Sequence, residues 1–159
     1  EEIIGGALRR WGANDRKAHV RCELPDDLPL FMGDSGLLEH VVLNYVDNAA
    51  KYSPQGSLIL LKAEADKEYL TLKVIDNGYG FAEDEKEHLF EKFYRGKCTD
   101  KTRGTGLGLP ICKTIIEAHG GKVWAEHRTD GEGSIFAFKL PLTKGDKLDG
   151  EQGHEGTCN

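Results

Sequence analysis

The sequence predicts an α+β fold, a two-layer α/β sandwich in which the helices pack on one face of a mixed β-sheet. Apolar residues recur at helical spacing in residues 2–13, 35–52 and 107–118. Alternating apolar and polar residues, typical of half-buried strands, occupy residues 19–24, 58–66, 69–76, 122–128 and 134–140. The order of helix, strand, helix, two strands, irregular loop, helix and two strands favours helices collected on one side of one sheet.

Each predicted helix has an apolar face or a local signal that marks where it begins or ends. Ile3, Ile4, Ala7, Leu8 and Trp11 form the apolar face of the first helix. The prolines of 25-PDDLPLFMGD-34 force an extended segment, after which Asp34 or Ser35 can cap the second helix. The apolar side predicted for that helix comprises Leu37, Leu38, Val41, Val42, Tyr45, Val46 and Ala49. The third helix stops at 119-HGG-121.

Turns and polar segments separate the remaining elements. The tip 66-DKE-68 and the turn 129-TDGEG-133 each predict a hairpin, and a short charged helix is expected near 83–88. Residues 143–159 contain one large apolar residue, Leu148, and cannot bury a core. We therefore expect a domain at 1–142 and a polar, mobile tail at 143–159.

Bulk composition narrows the class of protein. The 159 residues carry a formal net charge of −6, which argues against a nucleic-acid-binding surface. No apolar run approaches the ~18 residues of a membrane span, so we expect a chain that does not itself cross a membrane. The four cysteines have no metal or disulfide spacing, which favours reduced thiols. The start at Glu1, within a predicted helix, suggests a fragment of a longer protein.

A polar row lies on the second predicted helix. Asn44, Asn48 and Lys51 are spaced i, i+4 and i+7, so they share one side of the helix. Such a row can be a solvated face, or it can face a nucleotide. In the second case an Asn carbonyl oxygen suits Mg²⁺, and a Lys supplies positive charge to phosphate.

Two glycine-rich segments follow this helix. In 76-DNGYG-80, an Asp at a strand end can accept a hydrogen bond from an amino group such as that of adenine, although the segment is also an ordinary turn. In 104-GTGLGL-109, backbone N–H groups and a helix N-terminus can face an anion. A dinucleotide-binding fingerprint fits poorly, because the spacing is GxGxG and no βαβ unit surrounds it.

Taken together and in order, these segments resemble the N, G1, F and G2 boxes of sensor histidine kinases. The matching stretches are 44-NYVDNAAKY-52, 76-DNGYG-80, 90-FEKFYR-95 and 104-GTGLGL-109, and 131-GEGS-134 resembles the trailing glycine-rich box. The resemblance covers about residues 1–142. It implies the Bergerat-type ATP-binding fold shared with gyrase, Hsp90 and MutL-type ATPases.

The resemblance also implies roles for individual residues, with ATP and Mg²⁺ as the ligands. Asn48, with Asn44 beside it, is expected to bind Mg²⁺, and Asp76 to read the adenine amino group. Lys51 and Arg95 are expected to reach phosphate, Tyr52 to pack at the nucleotide, and residues 81–106 to form the ATP lid. The complete expected ATP-binding set is Asn44, Asn48, Lys51, Tyr52, Asp76, Gly78, Gly80, Tyr94, Arg95, Gly104, Thr105, Gly106, Leu107 and Gly108.

The residue at position 44 bears on what happens to the γ-phosphate. Hydrolysing relatives of this fold carry a Glu there as the base for water, whereas a carboxamide is a poor proton acceptor. None of the six histidines has the sequence setting of the family's phosphoacceptor. We therefore expect a catalytic domain that donates phosphate to a histidine on a separate dimerisation domain. The alternatives are an ATP hydrolase of the same fold and a nucleotide-binding module without catalysis.

Within the family, 88-HLFEKFYRGK-97 and 117-EAHGGKVWAE-126 look most like the Kdp-type potassium-responsive sensor kinases. This likeness implies a parent protein in the bacterial inner membrane with a cytoplasmic catalytic end. The implied partners are the parent's own phosphoacceptor domain and a response regulator.

Overall fold

A computed structural model describes residues 1–12, 18–95 and 108–142. Three α-helices and five β-strands lie in the predicted order within these residues. Their bounds are α1 Glu2–Gly12, β1 His19–Glu23, α2 Ser35–Tyr52, β2 Leu58–Ala65, β3 Tyr69–Ile75, α3 Gly108–Ala118, β4 Lys122–His127 and β5 Ser134–Pro141. The tail predicted at 143–159 lies outside the described residues.

The five strands form one sheet in the order β1-β2-β3-β5-β4. β1 runs parallel to β2, and the other neighbouring pairs are antiparallel. The sheet is therefore mixed, as predicted, and both predicted hairpins are present. Because β5 lies beside β3, the end of β3 and the start of β5 meet at one edge, where Asp76 N–H donates to the Ser134 carbonyl at 3.0 Å.

The core lies between the helices and one face of the sheet. Along β2, Ile59, Leu61 and Ala63 are buried and alternate with half-buried residues. On the opposite face, Lys62 and Lys73 both pair with Glu64, at 3.0 and 3.6 Å. An apolar face toward helices and a charged face away from them is the pattern of a two-layer sandwich.

α2 is the helix most fully surrounded by the core. Six of its seven predicted apolar positions are buried: Leu38, Val41, Val42, Tyr45, Val46 and Ala49. The prediction for Leu37 is wrong, because this side chain is 46% exposed in the first turn of α2. On α3, Cys112 is buried against the Val41 carbonyl oxygen, and this burial raises the pKa of its thiol to about 12.

The loop after β3 differs from the sequence expectation. The short helix expected near 83–88 is only a 3₁₀ turn, Glu83–Glu85, in which the buried Glu85 carboxylate accepts from the Ala82 N–H at 2.8 Å. Among the described helices, none combines the length and apolar character needed to span a bilayer.

The N-terminus of α2 is fixed by two contacts. The Asp34 side chain accepts from the Leu37 N–H at 2.9 Å, which caps the helix. The Asp34 N–H in turn donates to His119 Nε2 at 3.0 Å, and His119 Nδ1 bonds the Ile115 carbonyl oxygen at 2.7 Å. The beginning of α2 is thus tied to the end of α3.

Replacing the cap tests how much of this anchoring is local. Asp34→Ala removes the side-chain acceptor but keeps the backbone bond to His119. We expect a loss of about 1 kcal/mol in the free energy of unfolding, or about 2–4 °C in Tm, measured by urea and thermal unfolding. Asp27→Ala, in the exposed turn just before, is the control and is expected to leave both quantities unchanged. Equal losses in the two variants would contradict the capping role.

Candidate functional site

The polar row of α2 lies on the side of the helix that faces the start of α3. Asn44 and Asn48 are both half-buried one turn apart. Asn44 Nδ2 donates to the His40 carbonyl at 2.9 Å, which directs Oδ1 the other way. A Cβ at Gly108 would lie 2.9 Å from that oxygen. The structure therefore brings Asn44 and Gly108 together, and a larger residue at 108 would displace the Asn44 side chain.

Within the part of the chain that the structure describes, the Asn48 carboxamide makes no hydrogen bond. Lys51, the third member of the row, pairs with Asp47 through its Nζ at 2.9 Å, with its side chain 36% exposed. A lysine held in this way stays on the rim of the row and keeps donor capacity, because an ammonium group has three N–H bonds.

The end of α2 packs directly on the turn after β3. The Tyr79 N–H donates to the Tyr52 carbonyl at 3.3 Å, and a Cβ at Gly78 would overlap that same carbonyl. Gly80 has φ +68°, a left-handed conformation that favours glycine. Both glycines of 76-DNGYG-80 thus have a structural requirement, and the turn brings Asp76 toward the α2 site.

Asp76 is the most deeply buried acidic residue of this region, with 2% exposure. Its Oδ1 accepts from the Gly78 and Ser134 N–H groups at 2.8 and 3.1 Å, and Oδ2 accepts from Ser134 Oγ at 2.8 Å. A carboxylate offers about four acceptor positions. Among the described residues, these contacts use three positions and leave one on Oδ2 for a further donor.

Ser134 and Arg128 were not among the predicted site residues. Ser134 lies in the trailing glycine-rich box, so its position was visible in the sequence although its hydrogen bond was not. Arg128 donates to the Asp76 carbonyl at 3.3 Å from 52 positions away, and no local pattern indicates that contact. Gly133, at φ +123°, lies so near the Asp76 carbonyl that a Cβ there would overlap it.

The first part of the predicted lid is anchored in the core by aromatic rings. Phe81 and Phe90 both contact Phe136 edge-on, with ring centroids 6.2 Å apart in each case. The Tyr94 hydroxyl donates to Glu85 Oε1 at 3.1 Å, so Tyr94 lies against the 3₁₀ turn. Arg95 is exposed beside it. Gly104, Thr105, Gly106 and Leu107 lie outside the described residues.

Comparison with known proteins shows the family of this chain. The family model for histidine kinase-, DNA gyrase B-, and HSP90-like ATPases matches residues 33–144. The sensor protein KdpD of Clostridium acetobutylicum is 38% identical over 143 residues, which are 89% of this chain and 16% of that protein. The chain thus spans about one sixth of this relative's length, and the predicted likeness to Kdp-type kinases is confirmed.

Solved structures share the fold. The mycobacterial sensor histidine kinase MprB superposes with a TM-score of 0.80 at 29% identity, covering 89% of this chain and 94% of that one. The catalytic domain of histidine kinase ThkA superposes with a TM-score of 0.73 at 32% identity, covering 89% and 91%. The two-layer α+β fold is confirmed, and the chain belongs to the histidine kinase-, DNA gyrase B- and HSP90-like ATPase family as the catalytic, ATP-binding domain of a sensor histidine kinase.

Proposed function

We propose that this domain binds ATP with its adenine at Asp76 and its phosphates along the Asn44–Asn48–Lys51 row, and that it donates the γ-phosphate to a histidine on a separate phosphoacceptor domain. The unfilled acceptor position on the buried Asp76 carboxylate is the observation that carries this proposal. A buried polar group gains most from a ligand donor when water cannot reach it. The 6-amino group of adenine is a donor of the required kind.

The donor set on α2 fits Mg²⁺. Asn44 has its amide nitrogen committed to His40, so its oxygen faces the start of α3, and the Asn48 carboxamide makes no hydrogen bond to any described residue. Neutral oxygens of this kind suit a cation that keeps several waters and also takes phosphate oxygens. Asn48, with Asn44, would hold the ion, which when bound would neutralise charge on the phosphates.

The chain's own residues supply positioning and positive charge. Lys51 lies on the rim of the row and can share its N–H groups between Asp47 and a phosphate oxygen. Arg95 and the 104–108 glycine segment complete the phosphate contacts in this proposal. Phosphoryl transfer depends mainly on such positioning, and in this proposal the ATP-binding domain itself forms no covalent bond to the phosphate, which passes to the histidine of the separate domain.

The parent protein, in this proposal, is a KdpD-type sensor kinase of the bacterial inner membrane, with this domain on the cytoplasmic side. Its partners are its own dimerisation domain and a response regulator.

The direct test of phosphate transfer is to mix this domain with the separately produced dimerisation domain and γ-labelled ATP. Label on a histidine of the added domain supports the proposal, and label on neither domain, when ATP binding is intact, contradicts the transfer step.

Asp76→Asn tests adenine recognition with little change of shape. The amide keeps an oxygen for Gly78 and Ser134 N–H but replaces the free acceptor with a donor. We expect ATP affinity to fall about tenfold to a hundredfold, the effect of losing a hydrogen bond to a charged group, in calorimetric titrations with a non-hydrolysable analogue. Asp66→Asn is the matched control, because Asp66 also accepts two backbone N–H bonds, at the far hairpin. Unchanged affinity in Asp76→Asn would remove the carboxylate from the binding site.

Asn48→Ala tests the magnesium site without any reaction. Titrations with Mg²⁺ and with a chelator give the gain in ATP affinity that depends on the metal. We expect Asn48→Ala to reduce that gain at least about tenfold, as for other lost metal-site interactions. Asn48→Asp, which keeps an oxygen ligand, is expected to retain the metal dependence. A full gain in the alanine variant would show that Mg²⁺ is held elsewhere.

Asn44→Glu tests why this site favours transfer over hydrolysis. A carboxylate at this position can take a proton from water, whereas the carboxamide cannot. We expect steady-state phosphate release by Asn44→Glu to exceed that of Asn44→Gln, which has the same length without the charge. General-base catalysis contributes about a hundredfold or more, which sets the scale of the expected increase. Equal rates for the two variants would show that residue 44 does not control hydrolysis.

A further inference from the structure

The guanidinium of Arg128 lies against the backbone of the Asp76 turn. Its Nη1 donates to the Asp76 carbonyl at 3.3 Å and also to Asn77 Oδ1. Its Nε and Nη2 each donate to the Asp130 carboxylate at 3.0 Å. The Arg128 side chain is 17% exposed, whereas that of Asp130 is 74% exposed. Asp130 therefore orients the guanidinium from the solvent side.

These contacts join the ends of several strands. Asn77 Nδ2 donates to the Leu58 carbonyl at 3.3 Å, which extends the connection to the start of β2. The Arg128 N–H donates to the Gly133 carbonyl at 3.5 Å and closes the turn between β4 and β5. Asp76 is consequently held at both ends of the residue, its carboxylate by Gly78 and Ser134 and its carbonyl by Arg128.

Only a guanidinium can make this set of bonds. It presents about five N–H donors in a planar fork, while an ammonium group has three on one atom. Four of those donors are used here, two on Asp130 and two on the Asp76–Asn77 segment. The hydrogen bond and charge of Asp130, with the charge of Asp76, raise the pKa of Arg128 above its usual value. The side chain is thus a fixed cation with little donor capacity left for a phosphate.

The geometry points to Arg128, oriented by Asp130, as a positioning residue for purine recognition: it fixes the Asp76 turn so that the remaining acceptor on Oδ2 meets the 6-amino group of adenine. This inference rests on the proposed function. Arg128 itself touches no nucleotide in this account and acts through Asp76 and Asn77. Its contribution is therefore to selectivity between purines at the 6-position.

A rigidly held acceptor at Asp76 Oδ2 selects between purines because it cannot adjust to a ligand that lacks the 6-amino donor. Inosine triphosphate differs from ATP by a 6-oxo group in place of the 6-amino group and by a proton on N1. The 6-oxo group would place an acceptor opposite the buried Oδ2 of Asp76, and a rigidly held Oδ2 cannot shift to the neighbouring N1–H. A site that holds its acceptor rigidly leaves both groups unpaired and disfavours the 6-oxo ligand. If the turn loosens, Asp76 can move or admit water, and the penalty for inosine triphosphate falls together with the affinity for ATP.

Calorimetric titrations with Mg-ATP and Mg-inosine triphosphate, beside thermal unfolding, test this inference. For Arg128→Gln we expect ATP affinity to fall about tenfold while inosine triphosphate affinity changes less than about threefold. Asp130→Asn is expected to lower the ratio of ATP affinity to inosine triphosphate affinity by a smaller factor. This variant replaces Arg128→Gln in the test if Arg128→Gln does not fold. Arg21→Gln is the matched control: Arg21 also pairs with an acid two residues on, Glu23 at 3.6 Å, and lies on β1. It is expected to leave the ratio unchanged.

The outcomes separate the two levels of the proposal. A wild-type domain that prefers ATP, with an unaltered ratio in both Arg128→Gln and Asp130→Asn, overturns the role of Arg128 and leaves the proposed function standing. An equal fall in the affinities for ATP and inosine triphosphate in these variants also overturns the role of Arg128 in purine selection, because that result indicates a purely structural contact. A wild-type domain that binds both nucleotides equally overturns purine selection at Asp76. A wild-type domain that binds neither overturns the proposed function itself.

Discussion

The Asp76 carboxylate is buried at the end of β3, and much of the surrounding architecture follows from the need to satisfy it. A buried carboxylate is tolerated only where hydrogen-bond donors replace the water that it has lost. Two of its three donors belong to Ser134 and the third to Gly78. Ser134 can serve only if β5 lies beside β3, and its neighbour Gly133 must lack a side chain so that the two backbones can meet. The hydrogen bonds of this one residue thus depend both on the order of the strands in the sheet and on the placement of glycine.

α2 depends on the same arrangement at its far end. Its Tyr52 carbonyl lies against Gly78 and Tyr79, while its first turn is capped by Asp34 and tied to His119. The helix is therefore held at both ends, with its apolar side in the core. This leaves the Asn44–Asn48 side facing the start of α3. A ligand that bridges Asp76 and this row meets groups whose spacing is set by packing, which lowers the entropy cost of binding.

Most of the fold could be predicted from periodicity and turn chemistry, because each element carries its own local signal. Leu37 could not be placed, since the helical pattern gives the direction of a side chain but not where a neighbouring layer ends. The 83–88 segment has a helical composition, yet only Glu83–Glu85 forms a 3₁₀ turn, so composition alone overestimated the length of this element. Box spacing located Asp76 and the α2 row. The spacing of the boxes did not indicate Arg128, because its contact with Asn77 joins residues 51 positions apart.

The neutrality of the α2 row is itself informative. Asp47, the acid among these residues, is paired with Lys51, so the two asparagines present oxygens without net charge. A carboxylate at residue 44 would lie near Gly108, and in the proposed binding mode the phosphates at this place carry the same sign of charge. A relative that uses such a carboxylate accepts this repulsion in return for a base that activates water. With Asn44 the repulsion is absent and so is the base, a combination that favours holding ATP until an external nucleophile arrives.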